Sequence, residues 1–106
     1  MIKNVEIGGK DVKLSCNAFM PILYKRQFGT DFFSDIMKLS GAESDISFFN
    51  LETIYQIIWC MARLADKATL DYDEWLMSLD EFPIQEIAPI AMELLTITFK
   101  VSVKNA

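Results

Sequence analysis

The hydrophobic pattern of this chain has a period of two at first and a period of three to four afterwards. Val5 and Ile7 flank Glu6, and Val12, Leu14 and Cys16 alternate with Lys13 and Ser15, with Gly8-Gly9 between the two runs. That spacing predicts a β-hairpin over residues 2–16, turned by glycines that reach positive φ without steric cost. An isolated hairpin is marginal in water, so its apolar side is expected to lie on helices or to join the sheet of another chain.

Beyond residue 16 the spacing becomes helical. Asn17 is placed to cap a helix starting at Ala18, with Pro21 inside the first turn, where its missing N–H costs little. Phe19, Ile22, Leu23 and Phe28 supply its apolar face, Lys25, Arg26 and Gln27 look outward, and Gly29 is the expected stop. A second short helix, capped by Thr30 or Asp31, carries Phe32, Phe33, Ile36, Met37 and Leu39 and ends at Ser40-Gly41. Residues 41–50 read as a loop whose Ile46, Phe48 and Phe49 tuck into the core; the alternative is a recognition loop with exposed phenylalanines.

Asn50 is the expected cap of the strongest helix, residues 51–67. Leu51, Ile54, Tyr55, Ile58, Met61, Ala62 and Ala65 form one stripe, and Ile57, Trp59, Cys60 and Leu64 widen it almost all round. A helix so short of charge is the central core helix or, alternatively, half of an oligomer interface. A further helix after Asp71 carries Trp75, Leu76 and Leu79, and Asp80-Glu81-Phe82-Pro83 breaks it. The last helix sets Ile84, Ile87, Ala88, Ala91, Leu94 and Leu95 on one side, with Ile90 and Ile97 beside them. Pro89 either kinks it or opens a second piece. The tail from Phe99 mixes helix and strand signals. The expected fold is therefore mainly α (α+β). An N-terminal hairpin precedes about five helices in one small bundle-like domain over residues 1–106, with a helical body over 18–98 and a tail over 99–106.

Thr69-Leu-Asp-Tyr-Asp-Glu-Trp-Leu76 resembles the second half of a calcium-binding EF-hand loop, a reading that can be tested by counting. With Glu74 as the twelfth position, the first, third and fifth fall on Arg63, Ala65 and Lys67, and the obligatory glycine falls on Ala68. Cations and methyl groups occupy the places of oxygen ligands, so no metal site is expected. Asp71 and Glu74 instead fit a capping box, with Asp73 adding negative charge to the first turn and Leu70 placed to staple against Trp75.

Composition narrows the chemistry. There is no histidine, which excludes Ser-His-Asp and Cys-His catalysis and every imidazole-dependent zinc site; two cysteines cannot form a four-cysteine site. Cys16 and Cys60 are expected as reduced, buried thiols. A net charge of −5, with no basic cluster larger than Lys25-Arg26, disfavours a phosphate-rich partner. No apolar run approaches the roughly 18 residues of a membrane span, and the first residues lack the apolar core of a signal peptide. A cytosolic protein without cofactor and without enzymatic activity is expected. A hydrolase would need a closely paired acid dyad in a pocket, of which the sequence gives no sign.

Asp71, Asp73, Glu74, Asp80, Glu81 and Glu86 make residues 71–86 the most acidic stretch. The ordinary meaning is a solvated face; the functional one is a docking patch. Met20, Met37, Met61, Met77 and Met92 sit at helical positions and read mostly as core fillers. Met77 is the best candidate for exposure, because Trp75, Leu76 and Leu79 already fill the inward positions of its helix. Asp73, Met77, Asp80, Glu81 and Phe82 are the candidate partner-binding residues.

Taken in order, the hairpin V-E-I-G-G-K-D-V-K-L-S-C, the segment I-L-Y-K-R-Q-F-G-T-D, the apolar helix I-Y-Q-I-I-W-C-M-A-R-L-A-D and the acidic D-Y-D-E-W-L-M-S-L-D-E-F resemble the tail assembly chaperones of long-tailed bacteriophages and prophages of Gram-positive bacteria. The resemblance covers about residues 2–97. It implies a non-enzymatic protein of the host bacterial cytoplasm, absent from the mature virion. Such a protein binds the tape-measure protein, keeps it soluble and helps recruit major tail-tube subunits. It also implies a longer, frameshifted product of the same gene as a partner, and Val103-Lys104-Asn105 is compatible with a slippery codon run. The alternatives are a structural phage protein that self-associates as a homo-oligomer through the hairpin and the 51–67 helix, and a small acidic regulator of a host protein.

Overall fold

A computed structural model describes residues 2–41 and 48–100, with side chains at 2–38 and 51–100. Strands β1 (Ile2–Ile7) and β2 (Lys10–Ser15) form an antiparallel hairpin in which Ile7 pairs with Lys10, Val5 with Val12 and Lys3 with Leu14. Gly8 and Gly9 turn the chain with φ of +59° and +81°, positive at both positions as a two-residue hairpin turn of the right twist requires. Val5, Ile7 and Leu14 are buried and Val12 half-buried, while Asn4, Glu6, Asp11 and Lys13 face solvent. A slip of one residue would invert this division, so burial fixes the register.

Two lysines on the inner face hold the ends of the hairpin. Lys10 Nζ donates to the carbonyl of Ser78 at 3.2 Å, and Lys3 Nζ pairs with Glu93 Oε1 at 3.4 Å. Each stem covers apolar surface while its charge stays at the rim.

The helices are α1 (Met20–Phe28), α2 (Phe32–Gly41), α3 (Phe48–Ala65), α4 (Tyr72–Met77) and α5 (Ile84–Phe99). The hairpin packs on α3 through β2, and α1, α2, α4 and α5 pack against the same helix. Ile54 and the unbroken run Ile57 to Ala62 are buried within this one chain. The apolar breadth of α3 is thus that of a central core helix. Cys16 and Cys60 are free, buried thiols.

Several boundaries and faces differ from those expected. α1 begins at Met20, not Ala18: Asn17 Oδ1 accepts from the Phe19 N–H at 2.9 Å and opens a preceding turn, and Phe19 takes the cap position. Its buried face is Met20 and Tyr24 with Leu23 and Phe28 beside them, whereas Phe19 and Ile22 are exposed. Tyr24 decides this rotation because its hydroxyl has half-buried partners on α2 and α3. It donates to Asp35 Oδ2 at 2.7 Å and lies 2.9 Å from Gln56 Oε1. One proton serves one acceptor, so the bonds alternate or the Gln56 amide turns its NH2 inward. Asp31 caps α2 as expected, accepting from the Ser34 N–H at 2.8 Å, a bond that holds its carboxyl below the usual carboxylate range. Phe32 and Ile36 point inward, and Phe33 and Met37 point outward.

α3 starts at Phe48, so Asn50 lies inside the helix instead of capping it; an interior asparagine costs only a few tenths of a kcal/mol, about 0.5 or less. The expected packing of Ile46, Phe48 and Phe49 falls on side chains outside the described ones. α5 runs unbroken through Pro89, which stands on the exposed side and merely leaves the Gln85 carbonyl without its helical donor. Gly29 ends α1 in the left-handed region, its N–H bonded to Lys25 O at 2.8 Å; Lys100 takes the same conformation after α5. Residues 101–106, with the compatible codon run, lie outside the described residues. No helix of the described residues is long and apolar enough to cross a membrane.

The hairpin turn rests on the α4–α5 linker: a Cβ at Gly8 would lie 3.3 Å from Glu81 O and 3.4 Å from Glu81 N, whereas one at Gly9 would meet nothing within 4 Å. Gly9→Ala is expected to cost about 1 kcal/mol, for the left-handed backbone alone, and Gly8→Ala about 2 kcal/mol. Urea unfolding midpoints compare the two, and equal losses would show that the turn does not bear on the linker.

Burial pushes the Cys60 thiol up to about 12 and raises both the Tyr24 phenol, with Asp35 adding to the effect, and the Tyr72 phenol. Each group keeps its proton in the folded chain at a pH where the unfolded chain, with values near 9.0 and 10.0, has lost it. Stability is therefore complete below those values and falls as pH rises through them, by at most about 1.4 kcal/mol per pH unit for each group. Urea midpoints are expected to drop between about pH 9 and about pH 11; a flat profile contradicts the buried, protonated assignment.

Candidate functional site

The acidic segment is positioned by aromatic side chains. Tyr72, first in α4, meets Phe28 edge-on with ring centroids 4.9 Å apart and Trp59 at 6.1 Å; Trp75 is buried one turn later. Positions 72, 75 and 76 therefore face the core, which leaves Asp73, Glu74 and Met77 on the outer face of a six-residue helix. Met77 is 83% exposed, the largest value among the large hydrophobics of the described residues. Ser78 closes the helix, its hydroxyl donating to Trp75 O at 2.7 Å.

Asp71 occupies the expected cap position, but its side chain makes no capping bond. The reciprocal box with Glu74 is not formed. Asp71 Oδ1 instead accepts from Arg63 Nη2 at 3.3 Å, and the same nitrogen donates to Thr69 O at 2.8 Å. The guanidinium carbon lies 4.8 Å from the Trp59 ring centroid, and Nε is buried without a partner. The face of the planar cation thus lies on the indole, while Nη2 makes the hydrogen bonds of its edge. Leu70 remains about half exposed; what the core uses is its carbonyl, which accepts from Trp59 Nε1 at 2.9 Å.

The whole α3–α4 connection is pinned in this way. Asp66 Oδ1 accepts from the Ala68 N–H at 2.9 Å, and Thr69 Oγ1 bonds to Asp66 O at 2.7 Å and lies 3.1 Å from Ala62 O. The stretch that looks like half of a calcium loop is thus a connection stapled to α3 by Trp59, Arg63 and its own turn. Among the described residues no group of three or more carboxylates or thiols is placed to hold a metal ion.

The candidate residues fall into two groups. Asp73 and Met77 share the outer face of α4, while Asp80 and Glu81 are exposed in the linker against which the hairpin turn packs. Phe82 does not join them: it is half-buried, 4.8 Å from the Tyr55 ring and 6.3 Å from that of Trp75, and anchors the linker. A second apolar surface was not singled out from the sequence. Met37 is 71% exposed, and Phe33 stands on the same face of α2 with its ring 5.5 Å from that of Phe99. The signal was present in the pairing of Phe33 and Met37 at i and i+4, opposite Phe32 and Ile36.

A cleft of about 430 Å³ lies between β2 and the α3–α4 connection, with Val12, Leu70, Trp75 and Leu79 among its lining residues and Lys10, Asp11, Lys13 and Asp66 supplying charge. No family model, curated protein or solved structure matches this chain.

Asp71→Ala removes an exposed ion pair and no cap bond, so it is expected to cost less than about 1 kcal/mol. Trp75→Ala empties the anchor of α4 and is expected to cost about 3–5 kcal/mol. Denaturant unfolding of both variants checks the assignment; a loss at Asp71 near that of Trp75 would restore the capping-box reading.

Proposed function

We propose that this protein is a phage tail assembly chaperone that holds apolar segments of the tape-measure protein and keeps them soluble during tail morphogenesis. The observation that carries the reading on the structural side is Met77, an unbranched and adaptable side chain projected into solvent by an anchored helix whose outer face also carries Asp73 and Glu74, with Asp80 and Glu81 exposed in the linker that follows. An apolar contact point with an acidic surround suits transient capture of an apolar client, and a net charge of −5 opposes aggregation of the complex. The sequence resemblance supplies the client, the recruitment of tail-tube subunits and the site of action in the host cytoplasm. The exposed Phe33–Met37 face is a second apolar surface on α2. On this reading the protein performs no catalysis.

A second reading, a self-associating structural phage protein, is favoured by a different observation: among the described residues the sheet is only two strands wide. A gene position between the major tail protein and the tape-measure protein, with the product missing from purified virions, separates the first reading from the second.

Co-expression with the tape-measure protein of the same phage is expected to raise its soluble yield, and Met77→Asp to lower that yield severalfold with an unchanged unfolding midpoint. A client equally insoluble with and without the protein would sink the proposal.

A further inference from the structure

The outer edge of β2 carries an unanswered pattern of backbone and charge. In a hairpin closed by a two-residue turn, the flanking residues Ile7 and Lys10 exchange both backbone hydrogen bonds, and so do Val5 with Val12 and Lys3 with Leu14. Asp11, Lys13 and Ser15 consequently aim their N–H and C=O groups away from β1. Among the described residues no further strand pairs with them, and neither proline nor bulge interrupts the register. The cleft between β2 and the α3–α4 connection leaves this edge open, with Val12 and Leu70 among its walls.

The charges on that edge lack complements within the chain. Asp11 faces Glu6 across the hairpin, a like charge that destabilises, and Lys13 faces the neutral Asn4. Among the described residues no ion pair or side-chain hydrogen bond engages Asp11 or Lys13.

We propose that two copies of this chain pair antiparallel along their β2 edges, with the two-fold axis at Val12, to form one four-stranded sheet in the order β1-β2-β2-β1. Outward-pointing residues must meet outward-pointing residues, so few registers are open. With the axis at Val12, Asp11 of each copy lies opposite Lys13 of the other, and the two Val12 side chains meet in the close pairing between them. An axis at Asp11 sets carboxylate on carboxylate, and an axis at Lys13 sets ammonium on ammonium. An axis at Leu14 brings Lys13 to Ser15 and leaves Asp11 unmatched. The outer edge of β1, with Ile2, Asn4 and Glu6, offers no register with opposite charges. Six-residue strands bury little area, so the dimer is weak and concentration-dependent. The inference stands apart from the chaperone reading and would survive its failure.

The test is sedimentation equilibrium of the full chain at low salt. The wild type is expected to self-associate, and Asp11→Lys alone and Lys13→Asp alone each to weaken association about tenfold or more. An equimolar mixture of the two variants is expected to recover it, because each then supplies the charge the other lacks. Both positions are exposed, and circular dichroism verifies that the variants are folded. Asp11→Lys also reduces the net charge of −5, so overall repulsion alone would predict tighter association, the opposite result. A wild type that stays monomeric up to about 1 mM overturns the proposal and leaves the edge to an extended segment of another protein. A mixture no tighter than its parts overturns the register.

Discussion

A helix that is apolar on nearly its whole circumference has to be enclosed, and α3 imposes that constraint on everything around it. From Ile57 to Ala62 six successive side chains are buried, which spans more than a full turn and leaves no direction open to water. The hairpin covers one side through β2, and α1, α2, α4 and α5 close the others. The hairpin in turn needs α3, since two strands alone do not bury enough surface to persist. Each element supplies what the other lacks.

Enclosure by short elements raises a second demand, the satisfaction of polar groups where they meet. Tyr24 links α1 to Asp35 on α2 and Gln56 on α3, with Thr30 Oγ1 also donating to Asp35 at 2.9 Å. Trp59 and Arg63 reach from α3 to the carbonyls of Leu70 and Thr69, which have no helical donors of their own. Because these contacts hold the α3–α4 connection, α4 can be only six residues long and still present Met77 and its neighbouring carboxylates at fixed positions. The rigidity of the candidate surface thus derives from core tethers, and the acids themselves are free to face a partner.

Much of this was legible in the chain. The hairpin and its glycine turn, the order of the helices, the central place of α3, the buried thiols and the exposure of Met77 all follow from periodicities and turn chemistry. The misread positions share one cause. Phe19 and Ile22 match Met20 and Tyr24 in apolar character, and only the hydrogen-bond partners of the Tyr24 hydroxyl on α2 and α3 settle which pair turns inward. Asp71 and Glu74 have the right spacing for a capping box, yet a guanidinium eight residues earlier takes the carboxylate. Phe82, a candidate partner-binding residue, is drawn half inward by the rings of Tyr55 and Trp75.

The sequence by itself determined the class of the fold, its chain of elements and the chemistries closed to a histidine-free acidic protein, because those depend on local spacing and composition. Tertiary structure alone decided which apolar face of α1 and α2 is covered, which carboxylate serves a cap and which an ion pair, and which strand edge is left open. Those outcomes rest on contacts between residues far apart in sequence, which choose where two local preferences of similar strength compete.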